Sequence, residues 1–246
     1  MTITRRDLES GALPRPRPPW GALVGWLLSA LAVTAVYWAL ARPDLRLWPG
    51  MLTHGDPARR AVALTFDDGP HPLWAPLIAD TLERHGARGA FFLVAREALV
   101  YPEITARLAR GGHEIGNHSY THPYPNLAHL PPEGVQWEVA EANRLLAQFT
   151  GARVTLLRPP GGGMDDAVIH TAREQGMRLA WWSDNAADAA SPPPEVTLWH
   201  LRHRPRPGSV VLLHQRRNTA VALERFFAEG GGAQYDCTTF SDLMKR

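Results

Sequence analysis

Ala61-Val62-Ala63-Leu64-Thr65-Phe66-Asp67-Asp68-Gly69-Pro70 is a nearly continuous apolar run that stops on two carboxylates and a Gly-Pro turn. A short apolar run without alternation suits a strand covered on both faces, as in a parallel sheet. Outward from it, further β-rich runs alternate with helical patterns, and no internal repeat is present. Strands are expected over Ala61–Thr65, Ala90–Val94, Glu114–Asn117, Val154–Leu157, Arg178–Trp182, Ser209–Leu213 and Tyr235–Thr239. Helices are expected over Pro76–Arg84, Glu103–Arg110, Glu133–Phe149 and Asp165–Gln175. The alternation predicts an α/β fold with a parallel sheet, and about seven strands favour a barrel over an open sheet. Barrels place their chemistry at the C-terminal ends of strands.

Polar motifs sit at those ends. The first strand runs into Asp67-Asp68, the third into His118-Ser119-Tyr120-Thr121-His122 and the fourth into Arg158-Pro159-Pro160-Gly161-Gly162-Gly163. The fifth ends near Asp184 and the sixth at His214. Carboxylates, imidazoles and a guanidinium gathered at five strand ends point to metal binding or catalysis. His118 and His122, four apart, would direct both rings to one side if they lay on a helical turn. With one carboxylate they would leave coordination positions open for water and substrate, as a hydrolytic metal centre requires. Adjacent residues leaving a strand diverge, so one of Asp67 and Asp68 can bind a cation while the other serves as a base. Arg158 can orient that base by a charge-assisted hydrogen bond, or form an ordinary ion pair on the barrel rim. An N–H of Gly161 or Gly162 can face a developing oxyanion, or the glycines can simply form a turn. His214 ends the apolar run Val210-Val211-Leu212-Leu213 and becomes a candidate general acid only through the company of the other motifs.

Read together, TFDDGP, HSYTH, RPPGG and the late LLH resemble, in order and spacing, the NodB-homology polysaccharide deacetylases of carbohydrate esterase family 4. The resemblance runs from about Arg59 to the C-terminus and includes HGARGAFFLV and GGHEIGNHSYTHP. It implies a distorted (β/α) barrel, with Asp67 as catalytic base tethered by Arg158. It implies Asp68, His118 and His122 as ligands of one divalent ion, zinc or else cobalt, manganese or nickel. His214 would be the general acid, oriented by an acidic residue after the fifth strand, Asp188 in preference to Asp184. The implied reaction is hydrolysis of the acetamide of an N-acetylated glycan such as peptidoglycan, a chitin-like polymer or poly-N-acetylglucosamine, by water activated at the metal. The sequence departs from the family in two places. Gly161 stands where a Tyr is usual, which predicts a more open groove, and Ala189 stands where a Trp would follow Asp188. Two other readings remain: a deacylase of a lipid-linked or O-acetylated sugar, and a glycan-binding relative without turnover.

Lys and Arg number 26 against 24 Asp and Glu, for a net charge of +2, and the basic residues form no single stripe. Nucleic acid is therefore not the implied partner. Cys237 is the only cysteine, so any metal site must rest on His and carboxylates. From Trp20 to Leu40 the chain holds 21 residues without a charge, long enough to span a bilayer, with Trp20, Trp26, Tyr37 and Trp38 mostly toward its ends. Arg5, Arg6, Arg15 and Arg17 precede it and favour a cytoplasmic N-terminus. The expected organisation is a cytoplasmic Arg/Pro-rich segment (1–19), a transmembrane anchor (20–40), a linker (41–58) and an extracytoplasmic deacetylase-like domain (59–246). Ala39-Leu40-Ala41 resembles a cleavage site, but the long apolar run favours an uncleaved anchor.

Overall fold

The computed structural model describes residues 50–245, together with Gly25, Trp26, Leu28 and Ser29 of the N-terminal stretch. The chain divides into Met1–Leu45 and Arg46–Arg246, and the four described residues of the first unit are helical. Among the described residues no helix is long and apolar enough to cross a membrane; the span expected over 20–40 otherwise lies outside them.

The apolar run forms β1 (Ala61–Gly69), longer than expected because the strand continues through both carboxylates. It is followed by β2 (Ala90–Leu93), β3 (Glu114–Asn117), β4 (Leu156–Leu157), β5 (Arg178–Leu179), β6 (Asp184–Asn185), β7 (Val210–His214) and β8 (Asp236–Thr238). The main helices are α1 (Trp74–Arg84), α2 (Ala95–Val100), α3 (Pro102–Arg110), α4 (Pro132–Thr150), α5 (Asp166–Glu174), α6 (Pro194–His203), α7 (Arg217–Ala228) and α8 (Phe240–Leu243). All named strand pairs are parallel, in the order β5-β4-β3-β2-β1-β7-β6, with β8 beside the first residues of β1.

The strand expected over Arg178–Trp182 shortens to β5, and a further strand follows it beyond Trp182. After β5 the chain leaves the ladder, and Asp184 and Asn185 return as β6 against Val211 and Leu212. The two end strands, β5 and β6, do not pair with each other. Part of the stretch read as a linker occupies this interval: Leu52 bridges Ala180, and His54 bridges Ser209 at the start of β7. Met51 and Thr53 are buried there, so residues 51–55 are built into the domain.

Strand alternation decides what the barrel interior contains. On β1, Leu64 and Phe66 face the helices in one apolar cluster, with Phe66 stacked on Phe91 of β2 at 4.9 Å between ring centroids. Ala61 and Ala63 face the other way, into a second cluster with Phe92, Leu156, Val210, Phe240 and Leu243. Thr65 and Asp67 continue that inner face, and on β7 so does His214, two and four residues after Leu212 and Val210. The register sets Asp67 directly opposite His214. The pleat thus turns two titratable side chains of neighbouring strands inward, at the C-terminal mouth.

Candidate active site

Arg158 leaves β4 toward the interior and is fully buried. Its Nη1 donates to Asp67 Oδ1 at 2.8 Å and to Thr65 Oγ1 at 2.8 Å, and its Nη2 donates to the Trp181 carbonyl at 2.9 Å. The guanidinium lies 4.0 Å over the Phe92 ring. The rim ion pair considered as an alternative is therefore replaced by an internal clamp, in which a planar fork with several fixed partners leaves Asp67 little freedom to rotate.

Asp68 diverges from Asp67 because its backbone turns left-handed, φ 67°, where the β1–β2 register shifts between Phe66 and Gly69. Its Oδ1 lies 3.4 Å from His118 Nε2 and 3.2 Å from His122 Nε2. One donor atom from each of the three residues lies within 4.8 Å of the others. His118 Nδ1 sits 2.6 Å from the Arg158 carbonyl, an acceptor, so the ring proton belongs on Nδ1 and Nε2 presents its lone pair to the cluster. This donor set, an anionic oxygen and two imidazole nitrogens, fits a divalent cation. Burial alone would raise the Asp68 carboxyl, but the neighbouring His118 and His122 rings outweigh it and hold the group well below the usual carboxylate range.

The two histidines do not converge on a helical turn. Residues 118–122 form a loop in which Ser119 (φ 65°) and His122 (φ 60°) are both left-handed, and this reversal brings the rings to 5.1 Å. The His122 N–H donates to Ser119 Oγ. The loop is held from outside by Glu138 of α4, a buried residue whose carboxylate accepts from the N–H groups of Tyr120 and Thr121, both at 2.8 Å, and from Thr121 Oγ1 at 2.6 Å. Glu138 is absent from the residues expected at the site. On a helical wheel it reads as one more polar position beside Trp137 and Val139, and nothing local links it to a loop 17 residues earlier.

Of the two acidic candidates after the fifth strand, Asp188 faces His214: its Oδ1 lies 2.8 Å from Nδ1 and its Oδ2 accepts the His214 backbone N–H at 2.7 Å. Thr219 Oγ1 of α7 also donates to this fully buried carboxylate. Ionised Asp188 can only accept, so Nδ1 carries a proton and Nε2 is left for chemistry. Asp184 instead meets His200 of α6 at 2.7 Å, a separate buried couple.

Gly161 also has φ 60° and lies in the turn Pro160–Gly162. A Cβ there would come within 2.7 Å of the Pro125 carbonyl. The left-handed turn and the close approach of the 125–126 backbone make glycine the residue that fits position 161. The Gly162 N–H is engaged with the Pro159 carbonyl, whereas the Gly161 N–H has no backbone acceptor among the described residues.

Residues 54–180 match the protein family described as polysaccharide deacetylase. The chain belongs to that family. A peptidoglycan-N-acetylglucosamine deacetylase of Bacillus cereus is 31% identical over 192 residues, 76% of this chain and 89% of the relative. A chitooligosaccharide deacetylase of Azorhizobium caulinodans is 34% identical over 155 residues, 63% of this chain and 73% of the relative. The fold is similar to that of wild-type BA3943 of Bacillus anthracis, a CE4 family pseudoenzyme, with TM-score 0.74 and 26% identity over 80% of this chain and 70% of the other. Because the family holds deacetylases and a pseudoenzyme alike, the strand-end residues must carry the argument about turnover.

Proposed function

We propose that the chain is a divalent-metal-dependent hydrolase that removes N-acetyl groups from an amino-sugar polymer, peptidoglycan or a chitin-like glycan, at the outer face of the cell membrane. The observation that carries this reading is the pair of separately clamped groups at adjacent strand ends, Asp67 held by Arg158 and His214 held by Asp188, beside the Asp68–His118–His122 cluster. A binding protein without turnover needs neither clamp. The family's named substrates support the glycan, and the uncharged stretch 20–40 supports the membrane location.

Asp68, His118 and His122 would hold the cation, zinc suiting the donor set best, with cobalt, manganese or nickel as alternatives. Once bound, the cation supplies Lewis acidity to water and to the acetamide carbonyl. Asp67, aimed by Arg158, accepts the proton of the attacking water. The free Gly161 N–H donates to the carbonyl oxygen as charge develops on it. His214, its Nδ1 anchored by Asp188, donates from Nε2 to the departing nitrogen, which leaves as an amine.

The two neighbouring carboxylates provide the test, because these roles make them fail differently. Asp67→Asn keeps its shape but cannot take a proton, so turnover should fall by about 10²- to 10⁴-fold with bound metal near the wild-type content. Asp68→Asn replaces the anionic ligand with a neutral one, so metal should be lost first and excess metal should partly restore activity. Metal loss in Asp67→Asn with full retention in Asp68→Asn would reverse the assignment.

A further inference from the structure

Between the β1–α1 turn and the start of α7 lies a cavity of about 350 Å³ whose wall includes Asp68, His71, Trp74, Arg216 and Arg217. It adjoins the candidate active site through Asp68. Its wall presents two guanidinium groups against one carboxylate, and that carboxylate also faces His118 and His122. Arg216 Nη2 lies 3.6 Å from Asp68 Oδ2, while Arg216 Nε is shielded from solvent without a hydrogen-bond partner. Arg217 is exposed and makes no ion pair among the described residues. His71 adds a further donor. Its Nδ1 accepts the N–H groups of Leu73 at 3.1 Å and Trp74 at 3.2 Å, which puts the ring proton on Nε2. Burial lowers the His71 pKa, consistent with a neutral ring used as a donor.

An uncharged sugar polymer would leave this wall unmatched. Guanidinium forks and an N–H donor around an opening of this size are the chemistry that recognises carboxylate or phosphate. We propose that the cavity is a subsite for a negatively charged substituent of the acetylated glycan, a carboxylate or a phosphate, bound by Arg216 and Arg217 while the acetamide reaches Asp67 and His214. The substrate is then an acidic glycan, and the Trp74 ring offers an apolar surface to the sugar bearing the charge. This refinement rests on the deacetylase reading for its glycan, but the anion preference can be measured without turnover.

The measurement is calorimetric binding to the full chain carrying Asp67→Asn, so that ligands are not consumed. Two pairs of probes are compared: tetra-N-acetylchitotetraose against a peptide-free peptidoglycan tetrasaccharide with lactyl carboxylates, and N-acetylglucosamine against its 1-phosphate. At least one charged probe should bind about tenfold or more tightly than its neutral counterpart. Adding Arg217→Gln or Arg216→Gln should erode that preference, and raising the salt should weaken the charged probe alone. The pair showing the preference identifies the anion as carboxylate or phosphate. Equal binding within both pairs, or a preference that survives Arg216→Gln and Arg217→Gln together, would overturn the proposal. Acetate release by the wild-type chain is followed separately, and its absence would count against the deacetylase reading while leaving the binding result to stand or fall by itself.

Discussion

His214 is pulled in two directions. Burial lowers the pKa of its ring, and the hydrogen bond and charge of Asp188, with smaller contributions from Asp67 and Asp68, raise it; the net direction is upward. A raised pKa keeps the imidazolium populated to higher pH, and a general acid works only while protonated. Activity should therefore persist on the alkaline side and decline as pH passes the raised value. Asp188→Asn removes the main upward contribution, so the alkaline limb of the pH–rate profile should move to lower pH. His214→Ala should abolish that limb and cost about 10²- to 10⁴-fold in turnover. An unmoved limb in Asp188→Asn would remove the couple from the mechanism. The His214–Asp188 pairing also marks a boundary of legibility. The motif order places an acid after the fifth strand, but Asp184 and Asp188 lie four residues apart and only the path of the chain through β6 separates them. That path sends Asp184 outward to His200 and brings Asp188 back beneath His214.

At the scale of elements, the long apolar strands are readable and the short polar one is not. β1, β2 and β7 carry apolar or β-branched residues in runs of four or more, the signal of a buried strand. β6 is Asp184–Asn185, two polar residues whose pairing with β7 has no local signature. The His118–His122 spacing points correctly to a shared site and wrongly to a helical turn, because left-handed backbone at a serine and a histidine cannot be read from residue type. Such backbone is sparsely populated and must be held by its surroundings, which here means Glu138. Glu138→Gln would turn a donor group toward three donors that now share a carboxylate. Affinity for a divalent ion, measured by competition with a chelator, should fall by about 10- to 100-fold with the secondary structure retained. Wild-type affinity in that variant would show that the loop holds its shape without the clamp.

For the whole molecule, the segment around Leu52 and His54 ties the start of the domain to both β5 and β7. A chain beginning at Arg46 keeps these bridges and one beginning at Arg59 loses them, together with buried Met51 and Thr53. The shorter chain should melt at least about 5 °C lower, given roughly 2–4 °C per kcal/mol for a domain of this size. In the same comparison the full chain should partition with membranes and the chain from Arg46 should not; equal partition would count against an anchor at 20–40. Hydrolysis of an acetamide with the help of a divalent ion can be read in one assay. Full-length protein is stripped with a chelator, reloaded with zinc and given N-acetylated glycans, while acetate and new primary amines are quantified together. The prediction is release that returns with the metal, with acetate and amine in equal amounts. Acetate without amine, or no acetate from any N-acetylated glycan after reloading, would contradict it.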